Sequence, residues 1–441
     1  MSRSVALEPP EVVTYRQILR VHPALIVIML SVAGHMVMNS ALAPVLSVYA
    51  GSFGVNEIAI GLVMTIFGVG RLLADIPAGL LAEKQGRKRW LWMGPLIAGS
   101  ASIGAALTQD YQWLVALRFL QGIGSGIYMT VAAIVCADLS TPATRGRVMA
   151  LYQAAVLTGA GLGPAIGGIS SDLGGIQATF WISALIAFST VAYVWVRMPE
   201  TNQANAKAWA QAQGQAKDSV SATRGSVHGM AALMAVVGAL PLLMLMIVNF
   251  GVFFSRSGGQ WTALPLLGTE QFGLSAGRLG LILALSSLLN LVALPWAGSL
   301  GDRFGNGRVI LVSSSLTAVA LMLVAFSVDV AMFSLGTVLL GVAGSFVAPA
   351  IAAFAAQHAP NSQFGPTMGV LRFGGDLGFV CGPLLLGAVM QFFHASYAGA
   401  LLVNAAIVVG ATVAFAWVLR RSASPASIHS RFTNPPPKES S

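Results

Sequence analysis

The chain has 441 residues, of which 56% are hydrophobic and only 9% charged. Soluble domains carry roughly a quarter charged residues, so an ordinary water-soluble fold is excluded. The net charge of +9 does not point to nucleic acid, because the cations sit in short clusters between apolar runs rather than on one soluble face.

Residues 1–22 carry Glu8, Glu11 and two prolines ahead of the first apolar run, so they read as an N-terminal segment and not as a cleavable signal peptide. A membrane span needs about 20 mostly apolar residues. On that rule the chain contains twelve, at 23–48, 57–82, 90–108, 112–137, 146–170 and 177–198, then 238–267, 276–300, 308–327, 330–355, 366–391 and 396–419. The expected fold class is therefore an all-α polytopic membrane protein. Its domains are an N-terminal half at 23–198, a polar Ala/Gln-rich linker at 199–229, a C-terminal half at 230–419 and a Ser/Pro-rich tail at 420–441 that reads as disordered.

Lysine and arginine set orientation. Cations recur before span one (Arg3, Arg16, Arg20), between spans two and three (Lys84, Arg87, Lys88, Arg89), between four and five (Arg145, Arg147), in the linker, between eight and nine (Arg303, Arg308) and in the tail. The alternate loops hold Glu57, Asp110, Asp172, Glu270 and Asp329, with Arg278 their one cation. This alternation predicts that both termini are cytoplasmic. The lack of any Asn-x-Ser/Thr acceptor leans towards a bacterial cell membrane. Cys136 and Cys381 lie in apolar runs and offer neither a disulfide framework nor metal spacing.

The two sixes repeat. At an offset of 219 positions, Gly61 falls on Gly280, Gly79 on Gly298, Glu83 on Asp302, Gly86 on Gly305 and Gly122 on Gly341. Gly159, Gly163, Pro164 and Gly168 fall on Gly378, Gly382, Pro383 and Gly387. With a two-residue gap, His35, Asn39 and Pro44 fall on Arg256, Gln260 and Pro265. Two parallel six-span halves imply a substrate path at their interface near mid-membrane.

Three motifs resemble those of the major facilitator superfamily. The loop after span two, GLLAEKQGRK from Gly79 to Lys88, is similar to the family's signature loop with Glu83 where aspartate is usual; its second copy starts at Gly298 and keeps Asp302. Glycines allow a sharp turn, and a carboxylate at a helix end can pair with an arginine or face a helix N-terminus. Gly79, Glu83, Gly86, Arg87, Asp138, Gly298, Asp302 and Gly305 read either as a gate between the halves or as topology signals. Arg118 in span four lies in a stretch similar to the family's fourth-span arginine motif, and its repeat position holds Thr337. The resemblance implies proton coupling for Arg118, beside a purely structural hydrogen-bonding role. Span five, with Gly159, Gly163, Pro164 and Gly168, resembles the family's antiporter motif. The resemblance implies a twelve-helix fold in two pseudo-symmetric halves, export by antiport and a monomeric state.

The remaining intramembrane polar residues are site candidates. Arg71 and Asp75 are four apart on span two, as are Arg372 and Asp376 on span eleven. Each pair either neutralises itself along one helix face or frees its aspartate to exchange a proton. His35 is either a proton carrier or a satisfied hydrogen-bonder. His35 and Asn39 on span one, and Arg256, Gln260 and Trp261 on span seven, are expected to face the central cavity, with Tyr128, Gln153, Tyr152 and Arg372 as further cavity candidates. Arg256 has no acid four residues away and suits an anionic group. The sequence holds no phosphate-cradling GxxxxGK[ST], no clustered metal ligands and no paired nucleophile and base. The expected protein is a secondary transporter driven by an ion gradient, without ATP, cofactor or metal. Its expected task is proton-coupled efflux of a small amphipathic molecule, with proton-coupled uptake of a small anion as the alternative.

Overall fold

The computed structural model describes residues 15–141, 144–201, 240–358, 364–393 and 396–422. The expectations for the linker fall mostly outside these residues, as do those for the tail beyond 422 and for residues 1–14. Among the described residues there are twelve helices long and apolar enough to cross a membrane, and no strand. In order they are α1 (Pro23–Ser40), α2 (Glu57–Gln85), α3 (Arg87–Leu107), α4 (Tyr111–Asp138), α5 (Arg145–Gly174), α6 (Ile176–Arg197), α7 (Leu240–Glu270), α8 (Ala276–Phe304), α9 (Asn306–Ala325), α10 (Val330–His358), α11 (Phe364–Phe392) and α12 (Tyr397–Ser422). A backbone in lipid must satisfy its own hydrogen bonds, and a helix does so within one segment.

The first span is shorter than its apolar run. After Ser40 the chain passes through turns bonded Ala43 N to Ser40 O and Val45 N to Leu42 O, and then resumes as a short helix, Leu46–Gly51. Pro44 lies in this break; it has no N–H to donate and disfavours helix in the residue before it. Helix α7 loosens at the related place. Ser255–Ala263 winds as a π-helix, and Pro265 then starts the final helical stretch, Leu264–Glu270.

The helices start differently at the two ends of the bundle. At the end whose loops carry acids, caps are local: Asn56 accepts from Ala59 N at 2.9 Å, Asp110 from Gln112 N at 2.8 Å, and Asp329 from Met332 N at 2.7 Å. At the opposite, basic end, α3 starts after Gly86 and α9 after Gly305, whose φ values of 95° and 87° suit glycine. The first turn of α3 holds Arg87, Lys88 and Arg89, so three cations oppose the positive end of the helix dipole. Glu200 offsets them from beyond α6, accepting from Arg87 N at 2.8 Å and Lys88 N at 3.2 Å.

Apolar packing shows which end holds the halves together. One buried cluster at the acidic end joins both halves, with Leu42, Met64, Leu114 and Phe180 from the first and Phe254, Leu267, Phe333 and Leu386 from the second. At the basic end the clusters separate. One lies in the first half, around Ala82, Leu91, Val135 and Val194, and another lies in the second, around Val309, Ile351, Phe354 and Phe415.

The repeat appears here as an approximate two-fold in the contacts. On α2 and α11, a Cβ at Gly61 would meet the Pro383 carbonyl, and one at Gly387 the Glu57 carbonyl. On α8 and α5, a Cβ at Gly280 would meet the Pro164 carbonyl, and one at Gly168 the Ala276 carbonyl. Each contact of the first pair maps onto one of the second by the 219-residue offset. Further towards mid-bundle, Gly68 approaches Val380, and its equivalent contact is that of Ser287 with Gly161. These glycines allow the two halves to pack backbone against backbone.

This packing makes two stability predictions. Gly280→Val forces a side chain against the Pro164 carbonyl and is expected to cost about 1–3 kcal/mol, the usual range for overpacking. It should therefore lower the thermal midpoint of the detergent-purified protein. Gly298→Val, on the same helix but with nothing within 4 Å of its Cβ position, should leave the midpoint close to wild type. Glu200→Ala removes the acceptor at the α3 N-terminus and should cost about 0.5–2 kcal/mol, read by the same melting experiment.

Candidate functional site

Helices α2 and α4 build the first half's wall. They cross closely because a Cβ on Gly122 would meet the Phe67 carbonyl and one on Gly126 the backbone of Arg71. This crossing sets Phe67, Arg71, Arg118 and Ser125 around one cavity, completed by Asn39 and by methionines 36, 64 and 129. Trp261 and Phe379 of the second half close it, their rings edge to face at 5.7 Å. The space is ≈ 500 Å³ with its open mouth included. Methionine side chains suit such a wall because they adapt to irregular shapes.

Arg118 is 5% exposed. Its Nη1 donates to Gln121 Oε1 at 2.6 Å, Gln121 donates on to Ser102 Oγ at 2.9 Å, and the guanidinium lies 4.5 Å from the Phe67 ring centre. Its Nε has no hydrogen-bond partner, and neither does the Nε of Arg71. His35 is fully buried behind the cavity wall, with Nε2 3.2 Å from Ser125 Oγ and its ring 4.4 Å from that of Tyr128. Tyr128 donates to Ser31 Oγ at 2.7 Å. Neither His35 nor Tyr128 lines the cavity. Asn39 does, and it donates to the His35 carbonyl at 3.0 Å and to Ser125 Oγ at 3.3 Å.

A second cavity of ≈ 760 Å³, again counting open space, lies in the second half and is lined by Arg256, Gln260, Ser287, Asn290 and Thr317. Arg256 faces the Trp261 ring at 5.7 Å, so this indole stands between the two cavities. Asn290 occupies the repeat position of Arg71, a relation the offset makes visible in sequence. Thr337, the counterpart of Arg118, bonds to the Phe333 carbonyl at 2.9 Å and lines neither cavity. Gln153 is exposed, and Tyr152 points its hydroxyl at the Met129 carbonyl at 3.4 Å; both stand outside these cavities.

The two arginine–aspartate pairs behave differently from each other. Asp75 pairs across the halves with Arg372 at 3.2 Å, not with Arg71, and also accepts from Thr130 Oγ1 at 2.9 Å. Arg372 additionally approaches Asp376 on its own helix at 3.8 Å. One arginine therefore has two carboxylates, one on each half. Helical spacing puts Arg71 beside Asp75, but their helix crosses α4 and faces α11, so the nearer cation comes from another chain segment.

At the basic end, Arg87 pairs with Asp138 at 3.1 Å within the first half. Gly79 faces Thr130 and Ile134 of the same half, while Gly298 and Gly305 have nothing within 4 Å of a Cβ and Asp302 is exposed. In this conformation the two signature loops stand apart. The span-five glycines divide their roles: Gly159 and Gly163 pack on α1 at Ala33 and Ser40, while Pro164 and Gly168 meet α8. Sequence alone does not single out Phe67, Ser125, Thr130, Phe379 or Glu200, since none is unusual in an apolar run or at a loop edge. Among the described residues no group of three or more His, Cys, Asp or Glu is placed to hold a metal ion.

Comparison with known proteins agrees with this architecture. The sequence profile described as Major Facilitator Superfamily matches residues 28–258 and 245–439. The chain is similar to multidrug resistance protein MdtG of Yersinia enterocolitica, with 23% identity over 393 residues, 87% of this chain and 89% of that one. It is 24% identical over 365 residues to the multi-drug resistance efflux pump PmrA of Streptococcus pneumoniae, covering 81% of this chain and 87% of the pump. The crystal structure of a bacterial homolog of the human lysosomal transporter Spinster, inward-facing and occupied, superposes with a TM-score of 0.74 at 14% identity, covering 91% of this chain and 97% of that one. With the profile spanning both halves and the twelve-helix architecture in place, the chain belongs to the Major Facilitator Superfamily and is a membrane transporter, not an enzyme.

Proposed function

We propose that the protein exports a small amphipathic molecule from the cytoplasm in exchange for protons, by alternating access of the halves 23–198 and 230–419. The observation that carries this reading is the shared arginine: Arg372 reaches Asp75 of one half and Asp376 of the other. A proton on Asp75 removes one claim on Arg372 and leaves it with Asp376 on its own helix. Protonation is thereby linked to a bond between the halves. The likeness to MdtG and PmrA, named as multidrug resistance and efflux proteins, supports the outward direction.

The excess of Lys and Arg at the basic end supports a cytoplasmic position for that end and both termini, with the acidic loops outside. On that orientation, the separate basic-end clusters support a cytoplasm-facing state closed at its outer end. Glu83, Arg87 and Asp138, with Asp302 opposite, act as the gate when the basic end closes. Since one chain carries both halves, a monomer suffices, in the cell membrane. Uptake of a small anion with protons is the second reading, favoured by arginines lining both cavities without a carboxylate among the lining residues.

Asp75→Asn and Asp376→Asn, each reconstituted in liposomes, should reduce proton-driven flux to the level of empty liposomes. Substrate exchange at equal pH should persist. Unchanged proton-driven flux in both variants overturns the coupling. Direction is read in right-side-out and inside-out vesicles under an imposed pH gradient: export predicts accumulation in the inside-out preparation with an acid interior.

A further inference from the structure

The two cavities carry charge of one sign. Arg71 and Arg118 line the first, Arg256 lines the second, and no aspartate or glutamate lines either. The nearby carboxylates are Asp75 and Asp376, and Arg372 is the cation paired with both. Counted together, these are four arginines against two aspartates, so the centre of the bundle keeps an excess of positive charge. A charge in the low-dielectric interior is expensive unless paired.

Arg118 sharpens the case. It is 5% exposed and lines the cavity, and its Nε lacks any partner although its Nη1 is held by Gln121. The chain Arg118–Gln121–Ser102 fixes the guanidinium from behind. Arginine presents its donors in a planar fork that suits carboxylate, sulfonate and phosphate oxygens. Asn39 and Ser125 add neutral polar groups on the same wall, and Phe67, Phe379 and Trp261 supply an aromatic surface next to it.

Resting on the transport reading above, we propose that the substrate is an amphipathic organic anion. Its acidic head binds Arg118 and Arg71 in the first half, and its apolar body lies against Phe67, Phe379 and Trp261.

The test uses full-length protein in detergent and three matched probes: 4-phenylbutyrate, the neutral 4-phenylbutyramide and the cationic 4-phenylbutylamine. Binding is read by calorimetry and by ligand-dependent thermal shift. The anion is expected to bind at least about tenfold more tightly than either analogue. Arg118→Gln and Arg71→Gln should each weaken it by about 10- to 100-fold, the effect of losing a hydrogen bond to a charged group. Arg278→Gln, exposed at the acidic end, should not. The wild-type ranking stands without the variants if one fails to fold. Equal binding of the three probes, preference for the amine, or full phenylbutyrate binding in both cavity variants overturns the proposal. A proton-driven flux of the amine without phenylbutyrate binding sinks the anion class and leaves the antiport reading intact. Charge-selective phenylbutyrate binding without proton-linked flux does the reverse.

Discussion

Two of the contacts between the halves that leave no room for a side chain form a symmetric pair. At Gly61 against Pro383, and at Gly280 against Pro164, helices from opposite halves meet backbone to backbone. Everything at the centre depends on these crossings. They hold the acidic ends together, fix how α2 faces α11 and how α5 faces α8, and so decide which polar residues meet across the interface. In a bilayer the lipid is as apolar as leucine, so hydrophobic burial alone gives little reason for helices to associate; close approach of small residues restores it through packing.

The same geometry determines the fate of the buried charges. Asp75 sits one turn from Arg71, yet the α2–α11 contact brings Arg372 to it, and Thr130 supports it from α4. Arg118 turns away from acids and leans on Gln121 and Phe67. Paired and unpaired guanidinium nitrogens thus belong to different arginines: Arg372 holds both carboxylates, while the Nε atoms of Arg71 and Arg118 are buried without a partner.

Much of this is legible in the sequence. Twelve apolar runs are twelve helices, because length and hydropathy alone decide what can span. The 219-residue repeat is realised contact by contact at Gly61, Gly168, Gly280 and Gly387, because glycine and proline mark backbone geometry that a repeat must preserve. Pairing between distant segments is what the sequence does not reveal. Spacing suggests Arg71 with Asp75, whereas the partner lies on α11. His35 and Tyr128 are expected at the cavity, but His35 lies behind the wall against Ser125, and Tyr128 bonds to Ser31. Glu200 carries no motif; its role at the α3 N-terminus exists only once α6 returns beside α3.

The looser winding of Ser255–Ala263 has a further consequence. With the two-residue gap, Trp261 takes the place of Ser40 in the first half. The Ser40 hydroxyl is enclosed between the Met36 carbonyl at 2.6 Å and the Gly159 carbonyl of α5 at 3.1 Å, whereas the indole of Trp261 enters the opposite half's cavity. A chamber with true two-fold symmetry would accept a bound molecule equally in two reversed poses. Here one side offers a hydroxyl buried in a helix contact and the other a protruding aromatic plate. A solute bound there would find its two reversed poses no longer equivalent and would have one preferred way round.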